Sequence, residues 1–244
     1  MGDNGLIIHL KEVSFVYPGR RPVLNKLNLS FCRGERLGVM GANGSGKTTL
    51  LHMIVGLLKS SAGSIEIMGQ SVREENDFVQ VRKSIGLLFQ DADDQLFSPT
   101  VLEDVAFGPL NLGKTRDEAK AIALETLLSL GLGGFENRIT HKLSGGEKKL
   151  GSLATVLAMK PEVLLLDEPT SGLDELTEQR LVDILKRLDC SYLVVSHDMD
   201  FLAQTTDHVG YVSDGKLSVD DTVIPHAHVH THKHGRYDHE HSQK

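Results

Sequence analysis

Gly41-Ala42-Asn43-Gly44-Ser45-Gly46-Lys47-Thr48 follows a short apolar run, Leu37 to Met40, and opens a helical stretch from Thr48 to Leu58, whose Thr49 belongs with the loop to the expected nucleotide site. The spacing fits GxxxxGK[ST], and a strand before it with a helix after it is the context that gives the pattern its meaning. Glycines let the backbone curl until successive N–H groups point inward, where phosphate oxygens can accept from them. The helix that follows adds the partial positive charge of its N-terminus. In such a cradle Lys47 neutralises the β- and γ-phosphates of a nucleotide, and the Thr48 hydroxyl is placed to ligate Mg²⁺. A plain glycine-rich turn leaves the joint match of pattern and context unexplained.

Further on, Val163-Leu164-Leu165-Leu166-Asp167-Glu168 sets four apolar residues before two acids. A buried strand that ends in carboxylates needs a reason, because unpaired buried charge is costly. Alone the pattern is weak. Beside a phosphate cradle, Asp167 is expected to hold Mg²⁺ and Glu168 to orient or deprotonate an attacking water as a general base. Ser196-His197-Asp198 superficially suggests a hydrolase triad. Neighbours on a strand point to opposite faces, however, and cannot form a relay.

The rest of the chain reads as strands alternating with helices. Leu6, Ile8 and Leu10 alternate, then Val13, Phe15 and Tyr17 alternate in the other frame, so an extended segment with a break near Glu12 is expected. Leu27 to Phe31 and Ile65 to Ile67 suggest two further strands, and Ile85 to Phe89 a buried one ending at Gln90. From Thr100 to about Leu157 the pattern is helical, with Thr115 and Glu118 forming a capping box. Tyr192 to Ser196 is another buried strand, a helix is expected from about Glu175 to Leu188, and Ser213-Asp214-Gly215-Lys216 is a hairpin signal. The alternation predicts a mostly parallel α/β core, and the opening strands predict an antiparallel β annex.

Leu143-Ser144-Gly145-Gly146-Glu147 by residue logic is a tight turn opening a helix, another anion site. As a sequence it resembles the LSGGQ signature of ABC ATPases, with Glu147 where glutamine is commonest. Other positions follow in the family's order. Tyr17 matches the aromatic that stacks on adenine, Gln90 the Q-loop glutamine, Ser171-Gly172-Leu173-Asp174 the D-loop and His197 the switch histidine. Without that match, Tyr17 could equally be a partly buried strand aromatic and His197 a structural histidine.

The resemblance covers about residues 6 to 219. It implies a P-loop NTPase (RecA-like) core with an antiparallel β subdomain and an α-helical subdomain. In domain terms it implies an ABC ATPase domain over 1–222, with the helical part at about 91–158, then a His-rich tail over 223–244. It also implies ATP as substrate, Mg²⁺ through Thr48, Gln90 and Asp167, and catalysis by Glu168, His197 and Gln90. Two such domains, identical or paired, would face head to tail, each ATP closed between the Lys47 loop of one and Ser144, Gly145 and Gly146 of the other.

Asp91-Ala92-Asp93-Asp94-Gln95-Leu96-Phe97-Ser98-Pro99-Thr100-Val101 resembles the Q-loop stretch of energy-coupling-factor importers, as do Glu103 to Pro109 and Gly145 to Lys149. That likeness implies a transmembrane scaffold subunit and a substrate-capture membrane subunit as partners, at the cytoplasmic face of the cell membrane. From His226 to His241, seven of sixteen residues are histidine, namely His226, His228, His230, His232, His234, His239 and His241. In an extended chain alternate residues share one face about 6.6 Å apart, close enough for imidazoles to share a divalent ion. Imidazole suits nickel, cobalt, zinc and copper alike, and the resemblance favours nickel or cobalt, with zinc or a vitamin as other cargoes. The alternative is a solvated tail with no specific ion.

Composition excludes other classes. The net charge of −7 argues against a nucleic-acid partner, which needs a basic face. Cys32 and Cys190 lie far apart without metal-ligand spacing and fit a reducing compartment. No apolar run approaches the roughly 18 residues that a membrane span needs, since His52 and Gly56 interrupt the best candidate, Leu50 to Leu58. No signal peptide is evident, and Leu6 spoils a myristoylation pattern begun by Met1-Gly2. A cytosolic chain is therefore expected.

Overall fold

A computed structural model of the chain describes residues 5–220. Strand β1 (Leu6–Val16) pairs antiparallel with β2 (Pro22–Cys32) and later with β4 (Ala62–Ile67). The expected break is at Glu12, whose φ of 49° lies where the register with β2 shifts between Leu10 and Val13. That bulge swaps the inward face, so Ile8 and Leu10 before it and Val13 and Phe15 after it are all buried.

β3 (Arg36–Gly41) enters a different sheet and runs into α1 (Lys47–Ile54). This helix is shorter than its apolar run predicts, because Gly56 takes φ 73° and ends the turn. β5 (Gln70–Val72) closes the antiparallel sheet in the order β2-β1-β4-β5. α2 (Glu75–Ser84) was not legible in the sequence, since only Phe78 and Val81 turn inward and the other positions are polar except Val79, which is exposed. Its start is fixed instead by a capping box between Glu74 and Asp77.

After β6 (Ile85–Leu88), the long helical stretch resolves into α3 (Val101–Asn111), α4 (Arg116–Ser129) and α5 (Gly145–Leu157). Each of these three starts at a Ser or Thr N-cap with Glu at the third helical position. They enclose a core of their own around Val105, Ala123, Leu127 and Leu150. The remaining elements are β7 (Val163–Asp167), α6 (Glu175–Arg187), β8 (Ser191–Val195), α7 (Met199–Thr205), β9 (His208–Ser213) and β10 (Lys216–Asp220).

The second sheet runs β10-β9-β3-β8-β7-β6, parallel except for β10. Every residue of β7 and β8 is buried, as strands covered on both faces require. One face meets the antiparallel sheet and α1; the other meets α5, α6 and α7. Among the described residues no helix is long and apolar enough to cross a membrane.

Asp104 of α3 is a buried acid that ties the helical region to the segment after β6. Only 2% exposed, it accepts from the backbone N–H groups of Phe97 (3.1 Å) and Ser98 (2.8 Å) and from the Thr140 hydroxyl (3.3 Å). Removing such an acceptor leaves the buried Thr140 hydroxyl and two partly buried backbone donors without it. Asp104→Ala should therefore lower unfolding free energy by about 2–3 kcal/mol, measured by urea denaturation.

Candidate nucleotide site

The parallel register places three strand ends side by side. Val39 pairs with Val195, and Val195 with Asp167. Just beyond that level come the loop from Gly41, the residue Glu168 and the residue His197. A crevice at the carboxyl ends of strands, where the chain order departs from the spatial order, is where α/β sheets bind ligands.

The loop after β3 is closed by tight contacts that only glycine permits. A Cβ on Gly46, at φ 108°, would lie 2.8 Å from Leu24 Cδ2 and 3.0 Å from the Val23 carbonyl. Lys47 is buried and its ammonium donates to the carbonyls of Gly41 (2.8 Å) and Ala42 (3.1 Å). Ser45 Oγ is buried without a hydrogen-bond partner. A buried hydroxyl left unpaired marks the place where a phosphate oxygen would bond.

Across the crevice, Asp167 is 1% exposed and its Oδ1 has no partner either. Burial raises its pKa, against the pull of the neighbouring Thr48 hydroxyl. An orphaned carboxylate oxygen beside a hydroxyl is a donor set of oxygens, the kind Mg²⁺ takes, so Thr48 and Asp167 fit that ion. Gln90 is exposed and lines the same space.

Glu168 has the left-handed φ of 43°, held by its N–H donating to the Val195 carbonyl (2.8 Å). Sparsely populated backbone of this kind persists where surrounding structure enforces it, and it clusters at active sites. The Glu168 Oε2 atom meets His197 Nδ1 at 2.8 Å and accepts weakly from the His197 N–H at 3.4 Å. The acid is mostly enclosed while the imidazole is 74% exposed, so the histidine caps the carboxylate from solvent.

Asp167 lines one cleft with Thr48 and Gln90. An adjoining cleft of ≈ 570 Å³ is lined by Tyr17, Asn43, Gly44, Gly46, Lys47, Thr48, Thr49, Gln90, Glu168 and His197. Gly41, Ala42 and Ser45 lie in the loop beneath it. Tyr17 packs edge-on against Phe15 and its hydroxyl meets Thr49 Oγ1 at 3.2 Å. Arg20, Val23 and Ser171 also line this cleft without being singled out as nucleotide-site residues in the sequence; for Arg20 and Val23 no local signal exists, because tertiary packing brings them there.

Ser144, Gly145 and Gly146 stand apart, at the start of α5. Ser144 Oγ accepts from the Glu147 N–H (3.3 Å), and Glu147 accepts from the Ser144 N–H (2.8 Å) while pairing with Arg138 (2.8 Å). The Ser144 N–H is the main reason the Glu147 pKa is lowered. Ser144 and Gly145 face solvent, and Gly145 borders a neighbouring cleft that contains Asp167 and Gln90. The His226 to His241 cluster lies outside the described residues.

Residues 24–171 match the family model described as ABC transporter. The chain belongs to the ABC transporter ATPase family. It is 49% identical to a protein of Nitratidesulfovibrio vulgaris assigned to the ABC transporter ATP-binding class, over 98% of this chain and 87% of that one. It is 44% identical to the energy-coupling factor transporter ATP-binding protein EcfA of Methanothermobacter thermautotrophicus, over 89% and 71%. The fold is similar to cbiO1 of Clostridium perfringens, described as part of the ABC transporter complex cbiONQ, with TM-score 0.77, 34% identity and coverage of 88% and 87%. This ABC ATPase is thus an ATP-hydrolysing enzyme with an α/β P-loop core, and its likeness to the energy-coupling-factor ATPases extends well beyond the signature.

The Asp167 carboxylate carries a folding cost at neutral pH, because its folded pKa exceeds the unfolded one. In metal-free protein Asp167→Asn should therefore raise Tm at pH 7. The gain should vanish as pH falls below the ordinary carboxylate value of 3.8, where both states are protonated. A thermal melt series over pH checks it.

Proposed function

We propose that this ABC ATPase drives an energy-coupling-factor importer for nickel or cobalt ions, docked at the cytoplasmic face of the membrane on a scaffold subunit and a substrate-capture subunit. The Glu168–His197 contact, facing the Lys47 loop across one cleft, is the observation that carries the chemical part. The likeness to EcfA and to cbiO1 supports the importer part.

In this reading the loop N–H groups, the Ser45 hydroxyl and the Lys47 ammonium bind the phosphates of ATP. Thr48, Asp167 and Gln90 would hold Mg²⁺, which supplies charge neutralisation at the β- and γ-phosphates. Tyr17 stacks on the adenine. Glu168 orients the attacking water and accepts its proton, while His197 holds that carboxylate in place and reaches the γ-phosphate. The N-terminus of α5, with Ser144, Gly145 and Gly146, meets the ATP of a second ATPase subunit. Its capping box leaves Gly145 exposed for that contact.

Glu168→Gln should keep ATP binding near wild type in a fluorescent-nucleotide titration and cut turnover by roughly 10²- to 10⁴-fold. Loss of binding instead would make Glu168 a structural or metal-holding group. Metal accumulation in vesicles carrying the membrane subunits should follow the same loss.

The tail proposal is that His226, His228, His230, His232, His234, His239 and His241 buffer a divalent transition metal. Truncation after Pro225 should leave ATP hydrolysis unchanged and remove most nickel, cobalt or zinc binding by calorimetry. Binding by the full chain should weaken below about pH 6, because imidazoles must shed protons to ligate.

A further inference from the structure

Gln90 sits in a segment, Phe89 to Gln95, that leaves the end of β6 yet is fastened elsewhere. Among the described residues, its hydrogen bonds beyond its own turn run to α5. Gln95 accepts from the Phe89 N–H (3.2 Å) and donates through Nε2 to the Ser152 carbonyl (3.0 Å) and Thr155 Oγ1 (2.8 Å). Lys148 pairs with Asp93 at 2.5 Å. Lys149 donates to the Gln90 carbonyl at 2.5 Å and to the Phe89 carbonyl at 3.4 Å.

Of these, Lys149 is the unusual one. It is 3% exposed, and no carboxylate stands within salt-bridge distance among the described residues. A buried ammonium held by carbonyls is costly unless those bonds matter. Burial lowers its pKa, opposed by the more distant Asp91, Asp167 and Glu168. A compact ammonium with three rotatable donors suits two adjacent carbonyls better than a planar guanidinium would.

We propose that Lys149 is a positioning residue for the ATPase reaction, pinning the backbone of Phe89 and Gln90 to α5 so that the Gln90 side chain keeps step with the Ser144 end of that helix. The inference rests on the nucleotide-site reading above. One rigid helix then carries at its N-terminus the group offered to a second subunit, and on its flank the backbone of a residue lining its own subunit's site. A shift of α5 moves both.

The test compares Lys149→Met and Lys149→Arg with the parent, using hydrogen exchange by mass spectrometry, Tm, ATP affinity and kcat. Lys149→Met should speed exchange in the peptide over 86–97 by roughly tenfold, the worth of a lost charge-assisted hydrogen bond. The peptide over 37–54 and the ATP affinity should stay unchanged while kcat falls. Lys149→Arg, which keeps the charge but fits the two adjacent carbonyls less well, should recover only part of both. The proposal is overturned if exchange over 86–97 is unchanged, if it rises equally across the chain with a lower Tm, or if kcat is unaffected. If Lys149→Met does not fold, Lys149→Gln carries the same comparison. A parent with no ATPase activity but a localised exchange response would instead sink the function while leaving the pin intact.

Discussion

The level line Val39–Val195–Asp167 across three parallel strands is the constraint on which the site depends. It brings the phosphate loop, an acid pair and a histidine to one height although they are far apart in sequence. Because the side-chain period of a strand is two, a slip of one residue in β7 would turn Asp167 into the opposite layer. The complete burial of β7 and β8 makes such a slip expensive. The core thus fixes the positions of groups that themselves weaken it: an unpaired Asp167 oxygen, an unpaired Ser45 hydroxyl and a left-handed Glu168. Local rules broken together at one place are the usual mark of a functional site.

The helical region follows a different logic. Its helices are held by end chemistry and one buried acid as much as by their modest core. Glu147, where the signature most often has glutamine, illustrates it. A carboxylate at the third helical position accepts from the Ser144 N–H, suits the helix dipole and pairs with Arg138. The departure therefore strengthens the turn at Ser144 to Gly146 rather than disturbing it.

Much of this was readable from local spacing. The loop at Gly41 to Thr48, the acids after Leu166, the turn at Leu143 to Glu147 and the bulge at Glu12 each rest on a pattern a few residues long. What escaped depends on partners distant in sequence. α2 shows only two inward residues, so no period emerges. The contact of His197 with Glu168 is implied by the family resemblance alone, because local spacing does not reveal that β7 and β8 are neighbours. The fastening of Phe89 to Gln95 on α5 joins side chains some sixty positions apart, and Lys149 in the sequence is one more lysine in a charged run.

The strand order has a consequence for how the chain is made. β3 is flanked by β8 and β9, both synthesised long after it, so the strand leading into the phosphate loop emerges with two open edges. At translation rates of about 5–20 residues per second, it waits roughly ten seconds or more for Ser191–Val195 and His208–Ser213. Pairings that distant close slowly. A nascent chain stalled before β8 would hold an apolar strand with no correct neighbour, a target for chaperones or for misassembly with another copy.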